Sequence, residues 1–204
     1  MGLGLESQTL SADTPVLFPV HTNRGKVSIR DMRGWIMVEN NIVVRKAELK
    51  DAETIANSNM KMAEETEGRR IDKDVALEGV EAVIRDPHKG FYLVAEKGGI
   101  PKRIVGQLLI TFEWSDWRNK YFWWIQSVYV DEKYRNKKIF SRLYRQVVEM
   151  AKYRKDVSGL RLYVEKYNEA AKKAYEALGI KRTSYEMYEV EFWSDYGHES
   201  RACS

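Results

Sequence analysis

Cysteine is almost absent from this sequence of 204 residues, in which Cys203 is the single example. One thiol cannot form an intramolecular disulfide, and it cannot build a cysteine-based zinc site. The three histidines, His21, His88 and His198, lie far apart and do not have the spacing of metal ligands. The sequence therefore predicts no metal site and favours a reducing, cytoplasmic environment.

Long apolar runs and a strong charge of one sign are also missing. No run approaches the roughly 20 residues that a membrane-spanning helix needs, and the first residues lack the pattern of a secretory signal. The 34 basic and 30 acidic residues leave a net charge of +4. This excess is too small and too dispersed to favour a dedicated nucleic-acid binder. With 44% hydrophobic and 31% charged residues, the chain is typical of one globular domain.

Residues 1–38 differ from the rest of the chain. They contain two of the four prolines, and neither a strand period of two nor a helical period of about 3.6 residues is sustained in them. We expect residues 1–38 to form a poorly ordered N-terminal extension. A folded domain over residues 39–194 and a C-terminal tail over residues 195–204 would follow it.

The regular pattern begins after the extension. A β-branched run predicts a first strand over 42–47, and Asp51 then caps a helix with apolar residues at helical spacing. A second helix is predicted from Asp72 to Arg85, where a following proline ends it. Three strands rich in aromatic and β-branched residues come next, at 91–96, 103–113 and 121–130.

The second half alternates between helices and strands. An amphipathic helix is predicted over 140–155, followed by a strand over 159–165. Asn168 opens a further helix that ends at Gly179, and the alternation from Thr183 to Phe192 predicts a closing strand. The order β-α-α-β-β-β-α-β-α-β indicates an α/β protein with a mixed sheet and a βαβ unit in its second half.

The junction at residues 125–140, between a strand and a helix, resembles the central strand and pyrophosphate loop of the GNAT superfamily of N-acetyltransferases. The family pattern is Gln/Arg-x-x-Gly-x-Gly/Ala, and Arg135 matches its first position, whereas Lys138 and Phe140 replace the glycines. Lys138 either adds a positive charge beside the phosphates or narrows the loop. Backbone N–H groups at a helix start bind a diphosphate with help from the helix dipole.

The resemblance covers about residues 41–192 and implies the GNAT fold, a mixed central sheet splayed between two parallel strands, with about four helices. It also implies acetyl-CoA as the co-substrate. The residues implied to bind acetyl-CoA are Val128, Tyr129, Val130, Arg135, Asn136, Lys137, Lys138, Ile139, Phe140 and Asn168.

A second match lies in the last predicted helix, where residues 168–180 resemble the family's Asn…Ala…Tyr…Leu-Gly signature. By resemblance, Asn168 would contact the pantetheine, and Tyr175 would be the general acid at the thioester sulfur. Their spacing of seven residues is about two helical turns, so both side chains can face one groove. The alternative is a structural role, with Asn168 as an N-cap and Tyr175 in the core.

The general base stays open at the level of sequence. An amine with a pKa near ~10.4 must lose a proton before it can attack a thioester. Many family members use a carboxylate on the central strand, and Gln126 stands at the comparable position here. The nearest acidic alternatives are Glu113, Asp116 and Glu165.

The acceptor is equally open. Six aromatic residues between 114 and 124 either wall an acceptor site or pack in the core, and Glu64, Glu65 and Glu67 would suit a polyamine or a basic peptide end. We expect an N-acetyltransferase in which a primary amine, polyamine or amino-acid-like, attacks the thioester directly. The alternatives are a peptide or protein amine acetyltransferase and a non-catalytic acyl-CoA-binding module. A homodimer is an expectation from the family alone.

Overall fold

The computed structural model of the protein describes residues 18–23, 26–31, 34–39, 41–190 and 192. One eight-stranded sheet forms its centre, and four α-helices accompany it. The strands are β1 Phe18–Asn23, β2 Lys26–Asp31, β3 Gly34–Glu39, β4 Ile42–Lys46, β5 Phe91–Lys97, β6 Arg103–Ser115, β7 Lys120–Val130 and β8 Val157–Arg161. The helices are α1 Ala52–Glu67, α2 Lys73–Arg85, α3 Ile139–Tyr153 and α4 Glu169–Ala177.

The strands lie in the sheet in chain order, and each pair from β1–β2 to β6–β7 is antiparallel. The last pair, β7–β8, is parallel and is joined by α3, as a βαβ unit requires. Pairing between these two strands ends at Trp124 and Arg161, although β7 continues to Val130. The sheet is therefore mixed and opens between its two parallel strands, which confirms the predicted fold class.

Two apolar clusters cover the two faces of the sheet. On β5, Leu93 and Ala95 belong to the cluster under α3, while Tyr92 and Val94 belong to the cluster under α1 and α2. A strand covered on both faces needs a continuous apolar run, and this explains why the segment does not alternate. Leu143 on α3 is fully buried, and burial of such a side chain contributes about 2 kcal/mol.

Both ends of the described chain differ from the sequence prediction. Residues 18–23, 26–31 and 34–38, expected within the poorly ordered extension over residues 1–38, pair as antiparallel strands in β1–β3. Residues 1–17 and the predicted tail over 195–204 lie outside the described residues. The closing strand predicted over 183–192 does not form in its described part, where the side chains of residues 183–190 are exposed and add no strand to β8.

The boundaries of the remaining elements agree more closely with the prediction. Helix α3 begins at Ile139, one residue before the predicted start, and α4 begins directly after Asn168. Strand β8 ends at Arg161, whereas the pattern predicted a strand that ends at Glu165. Among the described residues, no helix has the length and apolar character needed to cross a membrane.

Candidate active site

A β-bulge interrupts β7 where the sheet opens. Gln107 pairs with Tyr129 and Leu109 pairs with Gln126, so β7 carries one extra residue between these positions. Ser127 lies within the bulge at a φ of 48°, in the left-handed region that few non-glycine residues adopt. Beyond Trp124 the β8-facing edge of β7 has no strand partner among the described residues. Backbone polar groups on that edge are therefore available to a ligand.

Buried polar side chains connect this bulge to α1. Gln107 is fully buried, and its Nε2 donates to Oδ1 of Asn59 at 2.8 Å and to the carbonyl of Ile55 at 3.3 Å. Asn59 donates in turn to the hydroxyl of Tyr92 at 3.3 Å. Burial raises the pKa of Tyr92, against the opposing hydrogen bonds of Asn59 and Ser127. The sequence analysis missed this network, because its members come from four distant elements.

The loop after β7 places the start of α3 beside the opening. A short 3-10 turn, Glu132–Tyr134, is capped by Asp131, and Asn136 and Lys138 both have left-handed backbones with φ near 61° and 60°. Lys138 is the residue before α3, and its side chain makes no capping hydrogen bond. The first N–H groups of this 15-residue helix therefore lack a cap from Lys138, and no acidic residue lies in its first turn.

These features fit the diphosphate of acetyl-CoA. Unpaired N–H groups at a helix start attract an anion, and the helix dipole adds to the attraction. The backbone of Lys138 has the conformation for which glycine is usually needed, and its side chain is exposed. Lys138 therefore takes the glycine-like backbone conformation while its side chain stays exposed.

Arg135 has a different environment from the one implied by the resemblance. Its Nη2 lies 2.5 Å from Oε2 of Glu65 at the end of α1, and its Nε donates to the carbonyl of Val130 at 3.1 Å. The hydroxyl of Tyr129 donates to the other oxygen of Glu65 at 3.4 Å. Arg135 therefore connects the loop between β7 and α3 to the end of α1. Lys137 is also engaged, because its Nζ donates to the carbonyl of Lys133 at 2.7 Å.

Helix α4 packs beside the start of α3. The side chain of Asn168 accepts a hydrogen bond from the N–H of Ala171 at 3.0 Å, which is the capping role considered for it. The ring of Tyr175 packs edge-on against Phe140, with centroids 5.4 Å apart. Burial raises the pKa of Tyr175 above its usual range. The structure thus brings together Phe140 and Tyr175, two predicted site residues from different helices.

Polar side chains form a row on the face of β6, β7 and β8 that lies on the α1 and α2 side of the sheet. We call Thr111, Glu113, Gln126, Arg161 and Tyr163 the polar row. The side-chain amide of Gln126 donates to Oγ1 of Thr111 at 2.5 Å and accepts from the hydroxyl of Tyr163 at 3.2 Å. Tyr163 also lies beside Trp124, with ring centroids 5.9 Å apart. Gln126 therefore has hydrogen-bond partners on both neighbouring segments, immediately before the bulge.

Each of the three carboxylates considered as a general base makes local hydrogen bonds. Glu113 accepts from Nη1 of Arg161 at 2.6 Å and from Nε1 of Trp124 at 2.5 Å. Asp116 accepts from the N–H of Trp117, and Glu165 accepts from the N–H of Tyr167. Of the three, Glu113 lies on the same face of the sheet as Gln126, because Thr111, the hydrogen-bond partner of Gln126, is two residues before Glu113 on β6.

The aromatic residues between 114 and 124 do not share one site. Trp114, Tyr121 and Trp123 line a cavity of about 740 Å³ near the ends of α2 and α3, and Trp123 is part of the core. Trp117 is exposed in the β6–β7 turn. Phe122 and Trp124 face the polar row, where the guanidinium of Arg161 lies 3.8 Å from the centroid of Phe122.

The acidic residues of the predicted acceptor entrance also have a definite place. Glu64, Glu65 and Glu67 form the last turn of α1 rather than a link between two helices. Burial raises the pKa of Tyr163, and so do the nearby charges of Glu189 and Glu67. Glu67 and Glu189 are therefore close enough to Tyr163 to interact with it electrostatically.

A larger cavity, of about 1190 Å³, lies along the first half of α1. Arg45 forms ion pairs in it with Asp51 and Glu96, each at 2.7 Å. Burial alone would raise the pKa of Asp51, but hydrogen bonds from Arg45 and the N–H of Glu48 lower it. These charges satisfy one another, and the lining includes neither the bulge residue Ser127 nor α4.

Comparison with known proteins agrees with this geometry. Residues 51–180 match the model of the acetyltransferase (GNAT) family. The chain is 32% identical over 99 residues to thialysine N-epsilon-acetyltransferase from Bos taurus, a match that covers 48% of this chain and about half, 55%, of that relative.

Solved structures show the same fold. A possible acetyltransferase from Clostridium difficile 630 is 43% identical, with a TM-score of 0.69 over 76% of this chain and 100% of its own. An aminoglycoside N-acetyltransferase in complex with CoA shares the fold at 13% identity, with a TM-score of 0.60 over 74% of this chain and 95% of its own. The opened sheet, the bulge and the helix start beside it thus occur in a chain that belongs to the GNAT family of acetyltransferases, which use acetyl-CoA as co-substrate.

Proposed function

We propose that the protein transfers an acetyl group from acetyl-CoA to the primary amine of a small molecule. The observation that carries this proposal is the unpaired edge of β7 at its bulge, next to the start of α3. A free strand edge and a helix start within one opening are suited to an elongated ligand with a diphosphate at one end.

The residues assigned to acetyl-CoA surround this opening. We assign the diphosphate to the loop from Arg135 to Phe140, through the N–H groups from Asn136 onward because that of Arg135 donates to the carbonyl of Glu132, and the pantetheine to the backbone of Val128, Tyr129 and Val130 and to the α4 start at Asn168. Acetyl-CoA supplies the acetyl group as an activated thioester. The left-handed backbone at Asn136 and Lys138 supports the assignment, because it turns successive N–H groups of the loop toward one side.

Acetyl transfer requires that the acceptor nitrogen lose a proton and that the departing sulfur gain one. The acceptor nitrogen must be neutral when it forms a bond to the acetyl carbon, and its proton leaves to water or to a carboxylate. The carbon–sulfur bond breaks, and we assign Tyr175 as the donor of the proton that the sulfur takes up. Its raised pKa keeps the phenol protonated at neutral pH, as a general acid requires.

Two observations support a small amine as the acceptor. The negative charges of Glu67, in the last turn of α1, and of Glu189 act on Tyr163, which favours a cationic ligand nearby. The related protein from Bos taurus is named for a small amino acid that it acetylates at the side-chain nitrogen. We therefore favour an amino-acid-like or polyamine acceptor over a peptide.

Calorimetric titration of acetyl-CoA, followed by a turnover assay on small amines and basic peptides, tests the proposal. We expect micromolar binding and acetylation of small amines. Binding without turnover on any amine would instead indicate a non-catalytic acyl-CoA-binding module, and faster acetylation of peptides would indicate the alternative acceptor class. No binding at high concentrations of acetyl-CoA would contradict the assignment of the opening.

A further inference from the structure

Two arginines lie over the ring of Phe122, at the end of the polar row away from the α3 loop. The guanidinium carbon of Arg161 is 3.8 Å from the ring centroid, and that of Arg118 is 5.1 Å from it. Arg161 is the last residue of β8, and Arg118 belongs to the β6–β7 turn. We refer to Arg118, Arg161 and Phe122 as the arginine pair site.

Glu113 fixes the orientation of Arg161. One carboxylate oxygen accepts from Nη1 of Arg161 at 2.6 Å, and the other accepts from Nε1 of Trp124. The ring of Phe122 supports the flat face of the guanidinium. Because Glu113 holds one edge of the guanidinium and Phe122 supports its face, Arg161 loses little rotamer freedom when it binds a ligand.

The site has unused positive charge and unused hydrogen-bond donors. Among the described residues, Nε and Nη2 of Arg161 have no hydrogen-bond acceptor, and Arg118 has no carboxylate partner. Two guanidinium groups against one carboxylate leave a local charge of +1. The side chains of Arg161 and Glu113 are partly exposed, at 30% and 37%, so a ligand from solvent can reach them.

We infer that the arginine pair site binds a carboxylate of the acceptor, which makes the acceptor a lysine-like amino acid rather than a polyamine. This inference rests on the proposed acetyl transfer. A carboxylate matches the planar donor edge of an arginine and can accept two hydrogen bonds from it. The second ammonium of a polyamine would instead lie beside two guanidinium groups, which repel it.

The two ends of the polar row suit the two ends of a lysine-like acceptor, its amine and its carboxylate. The guanidinium of Arg161 lies over the ring of Phe122, which is five residues before Ser127 in the bulge, roughly 16 Å along the strand. The carboxylates of Glu67 and Glu189 lie near Tyr163. An elongated zwitterion can therefore direct its amine toward the bulge and its carboxylate toward the arginine pair.

Acetylation of three matched acceptors tests the inference. Lysine carries the carboxylate, lysinamide has a neutral amide in its place, and cadaverine lacks it. We expect kcat/KM for lysine to exceed that for either analogue by about tenfold or more, the usual contribution of a charge-assisted hydrogen bond. Arg161→Gln should remove this preference, because kcat/KM for lysine falls and kcat/KM for cadaverine rises once one of the repelling guanidinium groups is gone. Arg161→Lys should retain part of the preference.

The matched control is Arg154→Gln, which removes an arginine that pairs with Asp156 away from this face. It should keep the full preference for lysine. Equal activity of the wild type on all three amines would overturn the inference and leave acetyl transfer standing, and so would an unchanged preference in Arg161→Gln. No acetylation of any amine would overturn the proposed function, and the inference would fall with it.

Discussion

The two sides of the opened sheet, to which we assign the co-substrate and the acceptor, offer different kinds of groups to a ligand. On the co-substrate side, the start of α3 and the edge of β7 offer backbone groups, and the side chains of Arg135 and Lys137 are engaged with the protein itself. On the acceptor face, backbone groups pair within the strands, and side chains such as Gln126 and Arg161 form the surface.

This difference explains which sequence changes each side tolerates. A backbone-lined site requires a conformation, so Lys138 can replace a glycine as long as its φ stays near 60°. A site lined by side chains requires particular groups, so we expect the amide of Gln126 to support different chemistry from a carboxylate at the same position. Binding of the co-substrate can therefore be predicted from a family pattern, whereas recognition of the acceptor depends on the individual residues of this chain.

Tyr175→Phe should have the largest effect, and it tests the co-substrate side. Removal of the proposed proton donor should lower kcat about hundredfold for every amine, with the Kd of acetyl-CoA almost unchanged because the ring still packs on Phe140. Steady-state kinetics and calorimetry measure the two quantities. Tyr167→Phe, at an exposed tyrosine, is the control. Full activity in Tyr175→Phe would remove Tyr175 from the catalytic role.

Substitutions of Lys138 test whether conformation or charge matters in the loop. A β-branched residue is strained at a φ of 60° by about 1–3 kcal/mol. Lys138→Val should therefore weaken acetyl-CoA binding about tenfold, whereas Lys138→Gly should bind as well as the wild type or better. Calorimetry compares these with Lys137→Val, which removes a charge next to this position. Equal losses in the valine and glycine variants would indicate that the charge is decisive.

Glu65→Gln tests the connection between the two sides, because Glu65 on α1 holds both Arg135 and Tyr129. The Arg135–Glu65 pair is partly exposed, at 43% and 34%, so its effect should be small. We expect acetyl-CoA to bind about two- to fivefold more weakly at low salt, with a smaller difference at high salt. Glu67→Gln on the same turn should bind normally. An equal loss in both variants would argue for general charge rather than this contact.

The pH dependence of kcat should show the smallest effect. A phenol donates a proton only while it is protonated, and burial raises the pKa of Tyr175. The donor form therefore persists through the ordinary tyrosine pKa of about 10, and kcat should not fall until the pH exceeds that value. A pH–rate profile measures this, with saturating substrates. A decline of kcat centred below about pH 10 would contradict the assignment.

Elements with strong local signals were predictable from sequence. The helical period predicted α3 to within one residue of its start at Ile139, and Asn168 was recognised as the start of α4. The structure differs from the prediction at the described residues between 18 and 38 and in the described part of 183–192, because a strand exists only where another strand accepts its hydrogen bonds. Alternation indicates a half-buried strand but does not supply its neighbour.

The sequence by itself determined the order of helices and strands from β4 to α4, the mixed sheet and the resemblance that identified the junction at residues 125–140, since these depend on local propensity and on short motifs. Only the tertiary structure decided which side chains meet. Glu65 and Arg135 are 70 residues apart in the chain, and Glu113 and Arg161 are 48 apart. No local pattern records such pairs, because they arise when packing of the core brings distant strands and helices together.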